Sequence, residues 1–79
     1  MDNSTLGIIV LRGIAMFAGA QGEHGKAKAA DSLADAIESR RDVDQHMREF
    51  AAALKAGEEA PWEDINDRIT AETDEFLAR

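Results

Sequence analysis

The chain has 79 residues, no cysteine, two histidines and a formal net charge of −7 at pH 7. This length predicts a single domain over residues 1–79, and the lack of cysteine excludes disulfides and cysteine-ligated metal sites. The acidic balance argues against direct nucleic-acid binding, because that binding depends on neutralisation of phosphates by Lys and Arg.

The most apolar stretch is Leu6–Ala20, in which Arg12 is the one charged residue. Its apolar residues recur three and four apart, which predicts a helix over about residues 4–20. The opposite side of this helix is apolar as well, and a helix that is apolar all round must be buried on most sides. The pattern therefore predicts a central N-terminal helix with the later helices packed against it.

The same stretch allows two membrane interpretations, which the flanking residues disfavour. It is shorter than the roughly 20 residues of a membrane span, and Arg12 lies near its middle. Residues 18–20 resemble a signal-peptide cleavage motif, but residues 1–3 are acidic where a signal peptide is basic. We therefore predict a cytoplasmic protein without membrane association, in which Arg12 reaches the end of the bundle or pairs with Asp35 or Glu38.

The second helix is predicted over about residues 26–40, after a turn that contains Gly22 and Gly25. Its apolar stripe is narrow and consists mostly of alanine, so it can lie close to the first helix. A short turn of this kind favours an antiparallel hairpin of the first two helices.

The charged residues 38–42 favour two separate helices over one long bent helix in this part of the chain. A third helix is predicted over about residues 43–56 and ends before Gly57, a residue suited to a left-handed C-cap. Pro61 suits the first position of a fourth helix over about residues 61–77. The complete pattern predicts an all-α fold, a small four-helix bundle of antiparallel helical hairpins around the apolar N-terminal helix.

The residue types of common catalytic and metal sites are scarce in this chain. Asp42, Asp44 and His46 have a ligand-like spacing, but residues two apart on a helix point away from each other. The two that share a face are too few for a zinc site. There is also no Gly-rich phosphate loop. We predict that the protein is not an enzyme and uses no cofactor or metal ion.

The leading functional hypothesis is a small acidic, non-catalytic protein–protein interaction module that forms a homo-oligomer. It is motivated by the surplus of apolar surface on the first helix, which so short a chain cannot fully cover. The residues predicted for the interface with a second copy or a partner are Ile8, Leu11, Arg12, Ala15 and Trp62. Trp62 is included because tryptophan is enriched in interface hot spots, although it can equally close one end of the core.

An alternative hypothesis is an inhibitor that occupies the basic groove of a nucleic-acid-binding complex. Small acidic phage-encoded inhibitors such as anti-CRISPR proteins are similar in size and charge, although no sequence motif is shared. The predicted acidic face for a basic protein partner comprises Glu59, Glu63, Asp64, Asp67, Glu72, Asp74 and Glu75. A further alternative is a phage virion or assembly component whose first helix packs against a neighbouring subunit.

Overall fold

The computed structural model describes residues 2–79, apart from the side chain of Glu58; Met1, the first residue of the predicted domain, lies outside them. The helices are α1 (Asn3–Ala20), α2 (His24–Glu38), α3 (Asp44–Ala56) and α4 (Trp62–Leu77), with a 3-10 turn at Gly57–Glu59. Residues 2–79 contain no strand, so the predicted all-α class and helical bundle are confirmed.

The first two helices form an antiparallel hairpin. A Cβ atom added to Gly7 would lie 3.6 Å from Ile37 Cδ1, and one added to Gly19 would lie 4.0 Å from Ala27 Cβ. The turn between the helices is shorter than predicted, because Gly22 adopts a φ of +82° that reverses the chain within three residues. Consequently α2 begins at His24 and not at residue 26.

The last two helices form a second antiparallel hairpin. Near one end, the rings of Phe50 and Trp62 meet edge to face with their centroids 5.4 Å apart. Towards the other end, His46 Nε2 lies 2.8 Å from Glu72 Oε2. Gly57 ends α3 with a φ of +75°, in agreement with its predicted capping position.

Contacts between α2 and α4 hold the two hairpins together. These helices run parallel, because Gly25 lies beside Trp62 while Ser32, seven residues on, donates a hydrogen bond to Asn66. The helical structure is interrupted between α2 and α3, as predicted. The side chains buried around α2 form the core, which comprises Leu11, Ala29, Ala30, Leu33, Ala34, Phe50, Trp62, Ile65 and Ile69 among others.

The helix at the centre is α2, so the predicted central position of α1 is wrong. Within residues 2–79, α1 packs against α2 alone, whereas α2 packs against α1, α3 and α4. The physical reason is size, because the alanines of α2 allow helices to approach it closely from several sides. One neighbouring helix can cover only one side of α1, whatever the composition of the other side.

Candidate protein-interaction surface

The side of α1 that faces away from α2 is apolar and exposed. Of the nine large hydrophobic side chains that are exposed within residues 2–79, five lie on this helix. Met16 is 78% exposed and Phe17 is 69% exposed, values unusual for such large apolar side chains. We define the outer face of α1 as Leu6, Ile9, Val10, Gly13, Met16, Phe17 and Ala20, all of which are exposed and uncharged.

The apolar surface continues from α1 towards α3 across a shallow groove. This groove has a volume of about 440 Å³, and its apolar lining includes Val10, Ile14, Phe17 and Leu54. Leu54 belongs to α3 and is 40% exposed. A partner that covers the outer face of α1 can therefore also contact α3.

The interface predicted from the sequence faces the wrong way. Leu11, Ala15 and Trp62 are 3%, 7% and 7% exposed, so they belong to the core of this chain. Ile8 is partly buried against the same core. The periodicity of α1 indicates that both sides of the helix are apolar. It does not indicate which of the two sides packs against α2. The residues on the opposite side form the free surface.

Arg12 lies at the edge of the α1–α2 contact and holds the two helices together. Its guanidinium group donates to Asp35 Oδ1 at 2.7 Å, to Asp31 Oδ1 at 3.0 Å and to Glu38 Oε1 at 3.1 Å. These hydrogen bonds raise the pKa of Arg12 above its ordinary value, and the bond to Asp35 has the largest effect. The predicted pairing with Asp35 or Glu38 is confirmed for both residues. Arg12 is consequently not available to a partner as a free cation.

We expect Arg12→Gln to lower the free energy of unfolding by about 1 kcal/mol at low salt, because exposed ion pairs contribute little individually. Three carboxylates on one side of α2 would also repel each other without the cation. The loss should shrink at about 1 M salt, where the Debye length is about 3 Å. Urea denaturation at both salt concentrations measures it, with Arg12→Lys as the charge-conserving control. An equal loss at both salt concentrations would contradict this electrostatic account.

All seven residues of the predicted acidic face are exposed; Glu59 lies in the 3-10 turn, and the other six lie on α4. The helical period places five of these carboxylates on the outward side of α4, opposite its buried residues: Glu63, Asp64, Asp67, Asp74 and Glu75. Glu72 lies towards α3, where it contacts His46. The predicted carboxylates of α4 other than Glu72 therefore lie on one exposed side of this helix.

The ligand-like spacing of Asp42, Asp44 and His46 marks the beginning of α3. Asp42 Oδ1 accepts a hydrogen bond from the Asp44 N–H at 3.0 Å, which satisfies a free donor of the first turn. His46 points to α4, where it is buried and pairs with Glu72. Within residues 2–79, no group of three or more His, Cys, Asp or Glu side chains is placed to hold a metal ion.

By length and composition, α1 could also cross a membrane. Its mean hydropathy is 1.4 over Asn3–Ala20, and 17% of that window is buried. The core helix of a soluble protein passes the same test of composition but is mostly buried. The exposure of α1 therefore requires an explanation, whichever environment covers it.

Comparison of the chain with protein-family models, with curated proteins and with solved structures found no match.

Proposed function

We propose that this protein is a small non-catalytic interaction module that self-associates through the outer face of α1. The observation that supports this function is the exposed apolar surface of that helix. Its five large side chains leave on the order of 600 Å² exposed, at the upper end of the roughly 300–600 Å² of the largest patch on a typical monomer. A surface of this size favours association, because covering it removes apolar area from water.

The distribution of charge also favours self-association at α1. The net charge is −7, so two copies repel each other at most of their surfaces. The outer face of α1 carries no charge, and the nearby cation Arg12 is neutralised by α2. Two copies can therefore meet at this face while their carboxylates remain apart.

Insertion of α1 into a membrane is disfavoured by the same contacts. It would separate α1 from α2, expose the core around Leu33 and break all three ion pairs of Arg12. An arginine at the centre of a spanning helix costs about 2.5–3.5 kcal/mol. Helices that lie on a membrane surface are usually rich in Lys and Arg, whereas α1 has only Arg12. We therefore propose a cytoplasmic location for the module.

Two alternative functions would use surfaces of the same molecule. An inhibitor of a nucleic-acid-binding complex would use the outward carboxylates of α4, which are exposed to water and, unlike an apolar face, gain nothing from being covered. A phage virion or assembly component would use the outer face of α1 against a neighbouring subunit. Self-association is favoured because the apolar surface is continuous and requires an apolar partner, which a second copy supplies.

We expect Phe17→Glu to weaken self-association at least tenfold, because it replaces one of the largest side chains of the apolar face with a charge. The matched control is Leu77→Glu, since Leu77 is 65% exposed and lies at the end of α4, beside Ser32 and Asp35. Sedimentation over a concentration series measures the association of both variants and of the unmodified chain. A monomer at every concentration of the unmodified chain would refute the proposed function.

A further inference from the structure

The outer face of α1 repeats every seven residues along the helix. Leu6, Gly13 and Ala20 occupy one line, Ile9 and Met16 a second line, and Val10 and Phe17 a third. An apolar seven-residue repeat is the pattern that two helices use when they pack side by side at about 20°. This geometry indicates another helix as the occupant of the face.

Gly13 lies in the middle of this face and leaves space for a close approach. It is exposed, and nothing lies within 4 Å of its Cβ position except α1 itself. Glycine inside a helix costs about 1 kcal/mol relative to alanine. No residue in the described part of the chain, 2–79, packs into the space that the missing side chain leaves. A second helix that crosses α1 at Gly13 would pack into this space.

We propose that the occupant is α1 of a second copy, which runs antiparallel and crosses at Gly13. This inference rests on the proposed self-association and specifies its geometry. A twofold axis at Gly13 places the large Leu6 opposite the small Ala20 at both ends and brings large apolar side chains together on either side of the crossing point. The opposed pairs are Leu6 with Ala20, Ile9 with Phe17, and Val10 with Met16.

A parallel pair fits this surface less well. It would place Leu6 against Leu6 at one end and Ala20 against Ala20 at the other, so the helices would be crowded at the first end and separated at the second. It would also align the two helix dipoles with like ends together, which is unfavourable. The antiparallel pair avoids both effects.

The area available agrees with a dimer of moderate stability. Two outer faces together contribute about 1,200 Å², which is the lower limit of the roughly 1,200–2,000 Å² of specific interfaces. Leu54 and the groove beside α1 add to this area. We therefore expect an equilibrium between monomer and dimer that depends on protein concentration.

The lack of cysteine in the chain allows a direct test of orientation. The variants Leu6→Cys and Ala20→Cys both change exposed residues, so the fold of each copy should persist. Disulfide formation requires Cα atoms about 4.4–6.8 Å apart, a distance that the antiparallel pair gives only between residue 6 of one copy and residue 20 of the other. Each variant is oxidised alone and in an equal mixture with the other.

We expect a covalent dimer in the mixture and little in either variant alone. Cross-linking of Leu6→Cys with itself would show a parallel dimer, which overturns the antiparallel geometry but leaves the proposed function intact. A monomer without any cross-link would overturn both. Binding of the monomer to lipid vesicles of neutral composition would likewise overturn both, since the face would then be a membrane contact.

Gly13→Leu tests the crossing point independently. The open space around Gly13 accommodates the new side chain in the monomer, so circular dichroism should show an unchanged fold. Sedimentation should show association weakened at least tenfold, because leucine would separate the two helices at their closest approach. Unchanged or stronger association would overturn the crossing at Gly13 and leave self-association itself intact.

Discussion

Leu33→Ala is expected to lower the free energy of unfolding by about 2–5 kcal/mol. Leu33 is fully buried in α2 and, with Ile69, is one of the two largest side chains that the solvent does not reach. Four of its near neighbours along α2, at positions 29, 30, 34 and 36, are buried alanines, which have no flexible atoms with which to fill the cavity. The cost should therefore lie in the upper part of this range.

A loss of this size is large for so small a protein. Typical stabilities of 0.05–0.15 kcal/mol per residue give about 4–12 kcal/mol for a chain of this length. The variant should therefore be partly unfolded at moderate temperature. Urea denaturation followed by the fluorescence of Trp62 measures the change, with Leu77→Ala as a matched control at an exposed leucine. A loss below about 1 kcal/mol for Leu33→Ala would contradict the position of α2 at the centre of the core.

Trp62→Ala is expected to cost about 3–5 kcal/mol of stability. The indole ring packs edge to face against Phe50, and its Nε1–H donates to the carbonyl of Gly57 at 3.0 Å. Lys26 Nζ lies 5.7 Å from the ring centroid, close enough for a cation–π contact. Trp62 thus connects α2, α3 and the beginning of α4, and its loss should loosen all three.

The control for this prediction is Trp62→Phe, which keeps an aromatic ring but removes the hydrogen bond. It should cost about 1 kcal/mol for the lost bond, plus the effect of the smaller ring. Circular dichroism during urea denaturation measures both variants, since neither retains tryptophan fluorescence. If Trp62 were instead an anchor for a partner, Trp62→Ala would leave stability unchanged and abolish association.

The existence of the four helices and the end of α3 could be predicted from the sequence, because they depend on local interactions. The apolar period of each segment defines a helix, and Gly57 ends α3 through its own backbone conformation. The charged run after Glu38 indicates the break that separates α2 from α3. The ion pair of Arg12 with Asp35 could also be predicted from the sequence, since an antiparallel hairpin brings the middle of α1 beside the middle of α2.

The sequence by itself determined the all-α class and the approximate positions of the four helices, because periodicity and capping act over a few residues. Only the tertiary structure decided that α2 is the central helix and that Leu11 and Ala15 face inward. Both depend on which surfaces meet over long separations in the chain. Apolar composition measures how much a helix gains from burial, whereas the small alanines of α2 decide which helix others can surround. The outer face of α1 can therefore be identified only once it is known which side of α1 packs against α2.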